Sequence, residues 1–245
     1  MTKISIVIPM KNESGNIRPL IGEILSACDG YDFEVIAVDD ASTDDSAQIL
    51  EDLMEEHPQV RVVQHERSGG QSAAVHSGVM AAKGDIIATL DGDGQNPPAE
   101  LPRLYRPLID PAAAKNLGLV AGQRLKRQDS LSKRLASRFA NALRSWALND
   151  GTRDTGCGLK AFRRDAYLGL PYFDHMHRYL PALFKRDGWQ VAHVDVSHQP
   201  RRTGKSNYSN LQRGIVGVVD LMGVMWLLRR RKKSQARELA GRTTN

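Results

Sequence analysis

Two cysteines in 245 residues, Cys28 and Cys157, are too few for a disulfide framework and show no metal-ligand spacing. A stapled secreted scaffold is thereby excluded, and a reducing compartment is expected. The chain opens directly on a strand-like run, Ile4-Ser5-Ile6-Val7-Ile8, so no secretory signal is expected. The apolar C-terminal run Gly214–Leu228 has fifteen residues and contains Asp220. It falls short of the ~20 residues needed to span a bilayer. Internal repeats and low-complexity segments are also missing.

What is present suits one large α/β domain: 245 residues with 41% hydrophobic content can bury a sizeable core. Apolar periodicity predicts strands at Ile4–Pro9, Phe33–Asp39, Val60–Gln64 and Ile86–Leu90, alternating with helices at Gly15–Cys28, Ser46–Glu56 and Gln71–Ala82. This βαβα rhythm predicts a mostly parallel sheet with helices on both faces, a Rossmann-like arrangement. Fold alone gives no chemistry.

The chemistry gathers where the strands end. Ile86 to Leu90 is a doubly buried strand pattern that stops abruptly in Asp91-Gly92-Asp93. Two carboxylates at i and i+2, just past the carboxyl end of a buried strand, lie where open α/β sheets bind ligands. Hard cations take oxygen ligands, and Mg²⁺ is commonly held by one or two carboxylates plus substrate phosphates. A plain Asp-Gly turn is the competing reading. An EF-hand loop fails, because its glycine position would hold Asn96 and its bidentate glutamate position Pro102. An aspartyl phosphotransferase also opens with paired aspartates after a strand. Two further polar loops, Pro9-Met10-Lys11-Asn12-Glu13 and Asp39-Asp40-Ala41-Ser42-Thr43-Asp44, end the first and second strands. Asp44 or its neighbours are expected to cap the following helix. Three acidic loops then converge on one crevice.

The segments PMKNESGNI, VDDASTDDS, the run from Gly78 to Asp93 and DTGCGLKAFRRD resemble family 2 glycosyltransferases of the GT-A fold. LDGDGQNPP and the stretch from Arg201 to Tyr208 are similar to the polyprenyl-phosphate members, dolichol-phosphate mannose synthases among them. The resemblance covers roughly residues 3–228, with the motifs in the family's order. It implies that Pro9, Glu13 and Asp40 contact the nucleoside. It also implies that Asp91 and Asp93 form the Asp-x-Asp motif for Mg²⁺ or Mn²⁺, with Gln95 beside it. The chain departs from the family at Lys11, where an aromatic residue is usual, and at Asn207, where Lys is common. The resemblance argues against the phosphotransferase, whose later Ser/Thr and Lys have no match. A sugar-nucleotide pyrophosphorylase would need a glycine-rich basic loop after the first strand, and Pro9–Gly15 is not one.

In the second half, Leu117–Gln123 reads as a strand ending at Arg124. That residue resembles a donor-phosphate contact; a solvated basic turn is the alternative. Ser130 to Leu148 is a basic amphipathic helix, suited to a membrane interface or to packing on the sheet. Asp154 matches a family position near the acceptor, for orienting the attacking oxygen or acting as base. Cys157 reads as a small packing residue between two glycines. His175 and His177 lack a third ligand at helical spacing, which leaves acceptor contacts or packing. Trp189–Ser197 alternates as a half-buried strand. The loop that follows, with Arg201, Lys205 and Ser206, makes a candidate donor-diphosphate clamp.

The apolar run Gly214–Leu228 and the five cations Arg229-Arg230-Arg231-Lys232-Lys233 suggest an in-plane anchor on an anionic leaflet. Its removal is expected to leave a soluble nucleotide-binding protein. The net charge of +6 fits polyanionic partners. Nucleic acid is not expected among them, since the cations lie around apolar helices.

The expected organisation is a catalytic domain over 1–210, a membrane-associating helix over 211–233 and a disordered tail over 234–245. Residues 1–125 form the nucleotide-binding half of the catalytic domain and 126–210 its acceptor half. The expected activity is inverting, metal-dependent transfer of a sugar from a UDP- or GDP-sugar to a dolichyl or undecaprenyl phosphate. The enzyme would be peripheral (monotopic) at the cytoplasmic membrane face. A different acceptor, or a nucleotide-sugar-binding subunit without turnover, are the alternatives. Asp93 and Asp154 carry the expected catalysis.

Overall fold

The computed structural model describes residues 3–124, 144, 147–199, 210–230 and 234. Four strands, β1 (Ile4–Met10), β2 (Phe33–Asp39), β3 (Val60–Gln64) and β4 (Ile86–Thr89), alternate with α1 (Ser14–Ala27), α2 (Ser46–Glu56) and α3 (Gly70–Ala81). These match the expected elements to within a residue or so. After α4 (Leu101–Ile109) come β5 (Leu117–Arg124), β6 (Lys160–Arg163), α5 (Arg164–Leu168), α6 (Leu180–Arg186), β7 (Gln190–Val196) and α7 (Asn210–Arg229). One seven-stranded sheet runs β3-β2-β1-β4-β6-β5-β7. All of its pairings are parallel except those of β6, which lies antiparallel to both β4 and β5.

The strand pattern explains the layers. Along β1, Ile4, Ile6 and Ile8 point to one face, where α1 (Ile17, Ile21, Ile24), α2 (Leu50) and α4 (Leu104, Leu108) cover them. Val7 points to the other face and meets Ala74, Val75 and Val79 of α3. A strand covered on both sides must be apolar throughout, which is why these strands read as continuous hydrophobic runs.

Two features of the topology place the functional site. The chain winds outward from β1 to β2 and β3, then crosses back to place β4 on the other side of β1. A crevice opens at such a switch point, beyond the carboxyl ends of β1 and β4. The reversed strand β6 then brings its amino end to that same edge, with Lys160 opposite Thr89. The loop from Asp154 to Gly158 is thereby delivered onto the end of β4.

The C-terminal helix corrects one expectation. Val224 of α7 is 1% exposed, and Leu221, Met225 and Leu228 pack against the core cluster that holds Tyr179, Leu180 and Leu183. Asp220, the polar interruption in the apolar run, faces inward and pairs with His175 (Oδ2–Nδ1 3.0 Å). Arg186 donates to the carbonyl oxygen of Leu227 (3.0 Å) near the end of α7, as a cation at a helix C-terminus should. One side of α7 therefore belongs to the core, and its removal would uncover that core. None of the helices among the described residues is long and apolar enough to cross a membrane. The basic helix expected over 130–148 and the clamp residues Arg201, Lys205 and Ser206 lie outside the described residues, apart from 144, 147 and 148 of the helix.

Candidate active site

A cavity of about 420 Å³ opens at the switch point, lined by Pro9, Asp91, Arg124, Lys160, His177 and Arg178 among others. Asp91 follows the end of β4. Its Oδ1 accepts from Gln71 Nε2 (2.7 Å) and its Oδ2 from Asn96 Nδ2 (3.1 Å). Burial raises the pKa of this carboxyl, and repulsion from Asp93 raises it further. Attraction from Lys160, the Asn96 hydrogen bond and attraction from Arg124 only partly offset this. Two neutral amides hold it, so added positive charge there would be favourable. Asp93 accepts the backbone N–H of Gln95 (3.1 Å) through Oδ1, which closes the tight turn.

The fit to a divalent cation rests on this donor set. Two carboxylates at i and i+2, one of them held partly desolvated with its pKa raised, suit an oxygen-seeking ion. No cluster of three His, Cys, Asp or Glu side chains able to hold a metal exists among the described residues. Diphosphate oxygens would have to complete the coordination, as is common for Mg²⁺.

Gly158 shows how closely the loop before β6 approaches. A Cβ there would overlap the Asp91 carboxylate. Thr89 Oγ1 donates to the Gly158 carbonyl (2.9 Å) and pins the two segments together. Gly158→Ala should therefore displace Asp91 and lower turnover at least tenfold, with about 1–3 kcal/mol of overpacking cost. Donor turnover and thermal unfolding of the variant check this; wild-type values in both would mean the loop has room to yield.

Arg124 and Asp154 meet in a bidentate pair, Nε–Oδ2 2.5 Å and Nη2–Oδ1 2.8 Å. The hydrogen bond to Asp154 is the main reason the guanidinium pKa rises. Each is thus the other's partner, which sets both orientations and neutralises the charge of Arg124. Arg124→Ala and Asp154→Asn should consequently be non-additive, the double variant losing little more turnover than the worse single one. A double-mutant cycle in turnover tests this, and additive losses would show that the two act separately.

The loops after β1 and β2 are tied to each other. Asn12 N–H donates to Ser42 Oγ (2.9 Å) and Thr43 N–H to Asn12 Oδ1 (2.8 Å). Asp44 accepts from the N–H of Ser14 (3.2 Å) and of Ser46 (3.1 Å), the first residues of α1 and α2. It serves both helix starts, one more than expected. Asn12 (φ 54°) and Ala41 (φ 56°) hold left-handed backbones at the loop tips. For a residue with a Cβ this costs about 1–2 kcal/mol, and such strain tends to collect at functional sites.

Of the expected nucleoside contacts, Pro9 lines the cavity while Glu13 and Asp40 do not. Glu13 Oε2 accepts from Asn16 Nδ2 (2.6 Å). Asp40 is 4% exposed and accepts from His65 Nδ1 (2.7 Å), Ser68 Oγ (2.6 Å), Gly69 N (2.7 Å) and Gly70 N (2.9 Å). Burial opposes its ionisation, but these bonds prevail and push its pKa down to about 2. Its acceptor positions are taken by the segment from His65 to Gly70, which leads into α3. Gln95 adjoins the metal motif, and its carbonyl accepts the N–H of Gln199 (2.9 Å). Cys157 is buried and burial raises its thiol pKa, the setting of a packing cysteine and not of an activated thiolate.

The sequence reading missed Gln71, Asn96 and Lys160. Lys160 is buried at the edge of the cavity and donates to the Cys157 carbonyl; burial pushes its pKa down. Gln71 stands in the first turn of α3, and a Gly-Gly-Gln start was the available signal for it.

Comparison with known proteins places this geometry in context. Residues 5–169 match the family model for glycosyl transferase family 2. An undecaprenyl-phosphate 4-deoxy-4-formamido-L-arabinose transferase of Pectobacterium carotovorum subsp. carotovorum is 35% identical over 212 residues, 85% of this chain and 63% of that protein. The transferase of the same description from Edwardsiella ictaluri is 34% identical over 223 residues, covering 89% of this chain and 65% of its own length. The chain thus spans somewhat less than two thirds of these relatives. Among solved structures, glucosyl-3-phosphoglycerate synthase from Mycobacterium tuberculosis, in complex with Mn²⁺, UDP and glucosyl-3-phosphoglycerate, superposes with a TM-score of 0.68. That alignment is 22% identical and covers 93% of this chain and 80% of the synthase. The fold is shared.

Proposed function

This chain belongs to glycosyl transferase family 2, and from that premise we propose that it moves a sugar from a UDP- or GDP-sugar to a polyprenyl phosphate. The observation that carries the reading is the Asp91/Asp93 pair just past the end of β4, with Asp91 lining the switch-point cavity and hydrogen-bonded by the neutral amides of Gln71 and Asn96. The relatives named for undecaprenyl phosphate favour the lipid acceptor.

In this reading Pro9 and the tied loops after β1 and β2 frame the nucleoside. Asp40 serves them by fixing the start of α3 rather than through a contact of its own. Asp91 and Asp93 would hold Mg²⁺ or Mn²⁺, which compensates the charge of the leaving diphosphate when bound. Arg201, Lys205 and Ser206 would close on that diphosphate from the segment after Gln199.

An oxygen of the acceptor phosphate attacks the anomeric carbon as the bond from that carbon to the diphosphate breaks. The nucleotide leaves with the electron pair, and configuration inverts. A phosphate monoester is already ionised near neutral pH, so no strong base is required. Positioning and charge compensation supply the rate. Asp154, committed to Arg124, fits a positioning part better than a proton-accepting one.

The cytoplasmic membrane face is the proposed location, with the outward side of α7 in contact with lipid. Assaying a panel of UDP- and GDP-sugars against polyprenyl phosphate, with and without Mn²⁺, tests the reading. Metal-dependent transfer to lipid is expected; donor turnover only with a soluble acceptor would overturn the lipid assignment.

A further inference from the structure

Two arginines line the cavity, and their circumstances differ. Arg124 is neutralised by Asp154. Arg178 has no carboxylate partner among the described residues. Beside it, His177 Nδ1 lies 2.7 Å from Ser72 Oγ, and the same oxygen receives the His177 backbone N–H (3.3 Å). The network is complete when Ser72 donates to Nδ1, which leaves the ring proton on Nε2 as a donor. Burial holds the imidazole neutral, reinforced by the nearby cations Lys160 and Arg178 and by His175. The cavity lining thus holds an arginine without a carboxylate partner among the described residues next to a neutral imidazole.

The anchoring of this pair indicates which substrate it faces. His177 and Arg178 sit in the short turn Met176–Arg178, just after His175, which is held left-handed at φ 63°. His175 Nδ1 lies 3.0 Å from Asp220 Oδ2 of α7, and Tyr179 donates to the Gly217 carbonyl of α7 (3.4 Å). The nucleoside loops after β1 and β2 are instead tied to one another, by Asn12, Ser42, Thr43 and Asp44. The turn that carries the uncommitted cation is therefore held between α7, which bears the exposed apolar stripe, and α3 through Ser72, and among the described residues not by the loops after β1 and β2.

We infer that Arg178 and His177 form the subsite for the phosphate group of the acceptor, Arg178 by charge and His177 by its N–H. The subsite takes a phosphate monoester and lies where the turn Met176–Arg178, packed beside α7, lines the cavity. It rests on the transferase reading for its place in the reaction, but not for its ligand chemistry.

The test uses the full chain with Mn²⁺, titrated with UDP and GDP, with farnesyl phosphate, and with phenyl phosphate as a monoester lacking the lipid chain. Arg178→Gln should weaken both monoesters ten- to a hundredfold, the range for losing a charge-assisted hydrogen bond. Nucleotide affinity should stay within twofold, which also reports an intact fold. Arg178→Lys should recover part of the loss, and His177→Ala should weaken the monoesters by a smaller factor. Tighter binding of farnesyl than phenyl phosphate supports a lipid source. Equal binding that still depends on Arg178 keeps the subsite and makes the acceptor a soluble phosphate. Unchanged monoester affinity in Arg178→Gln, or a loss of nucleotide affinity in its place, overturns the subsite. Sugar transfer to farnesyl phosphate by the wild-type chain is scored separately. Its absence alongside Arg178-dependent binding would refute the transferase reading and leave the subsite standing.

Discussion

Asp91→Asn should lower sugar transfer at least ~100-fold, the scale on which removal of one preorganised electrostatic stabiliser acts. Asn keeps the volume and one acceptor oxygen but loses the charge that would bind the cation. Stability should respond in a different way. The carboxyl of Asp91 has its pKa raised in the folded chain, by burial first and by Asp93 second. Its folding contribution is therefore fully present below the ordinary carboxyl range and is lost as pH rises through the raised value. At neutral pH the ionised group opposes folding, and Asn removes that penalty. One of the two amide contacts, from Gln71 or Asn96, is lost in exchange. The metal-free variant should thus unfold within about 1 kcal/mol of wild type. Mn²⁺ should raise the melting temperature of the wild type and leave that of the variant unmoved. Near-normal metal-dependent transfer by Asp91→Asn would place the metal elsewhere.

The first half of this fold was legible because its strands are buried on both faces and its helices show one apolar stripe each. Phe33–Asp39, Ser46–Glu56 and Val60–Gln64 are elements whose bounds the apolar pattern alone delimits. β6 was not legible. Four residues, Lys-Ala-Phe-Arg, with a charge at each end, carry no strand pattern, and the buried Lys160 follows from tertiary placement. Missing β6 hid why Gly158 stands against Asp91. At the site, Asp91 and Asp93 announce themselves through spacing after a strand. Asp39 and Asp40 do so equally, and here they also accept hydrogen bonds from within the fold. Asp39 Oδ1 accepts from Ser42 N (3.0 Å) and its Oδ2 from Gln64 Nε2 (3.1 Å), while Asp40 seats α3. Sequence shows which carboxylates end strands. Whether backbone N–H groups come to meet them depends on the following helix, and that is a property of the fold. Asp220 teaches the same lesson in reverse, since a lone acid in an apolar run turned out to mark the inward face of α7.

Replacing Trp226 and Met222 together by Ser should abolish most binding to anionic liposomes while leaving the fold intact. Val218, Val219, Met222 and Trp226 are 56–60% exposed and recur at helical spacing along one side of α7. The opposite side carries Asp220, Leu221, Val224 and Leu228 into the core. Full burial of a large apolar side chain is worth about 1.5–3 kcal/mol, so losing two should reduce partitioning at least thirtyfold. The cations after Leu228 should each add about 1 kcal/mol on an anionic surface. Salt screens that part and leaves the apolar part in place, so wild-type binding should weaken with ionic strength without vanishing. Deleting Leu211–Asn245 is a poorer test. It strips Val224 and its neighbours from the core, where a single large-to-small change already costs about 2–5 kcal/mol. Total stability is only about 5–15 kcal/mol, so the truncated chain should unfold or aggregate whether or not it meets lipid. Trp226→Ser with Met222→Ser avoids this, because both side chains project outward. Failure of the full-length chain to float with anionic liposomes at low salt would remove α7 as a membrane contact. Equal flotation of the double variant would move the contact to another surface.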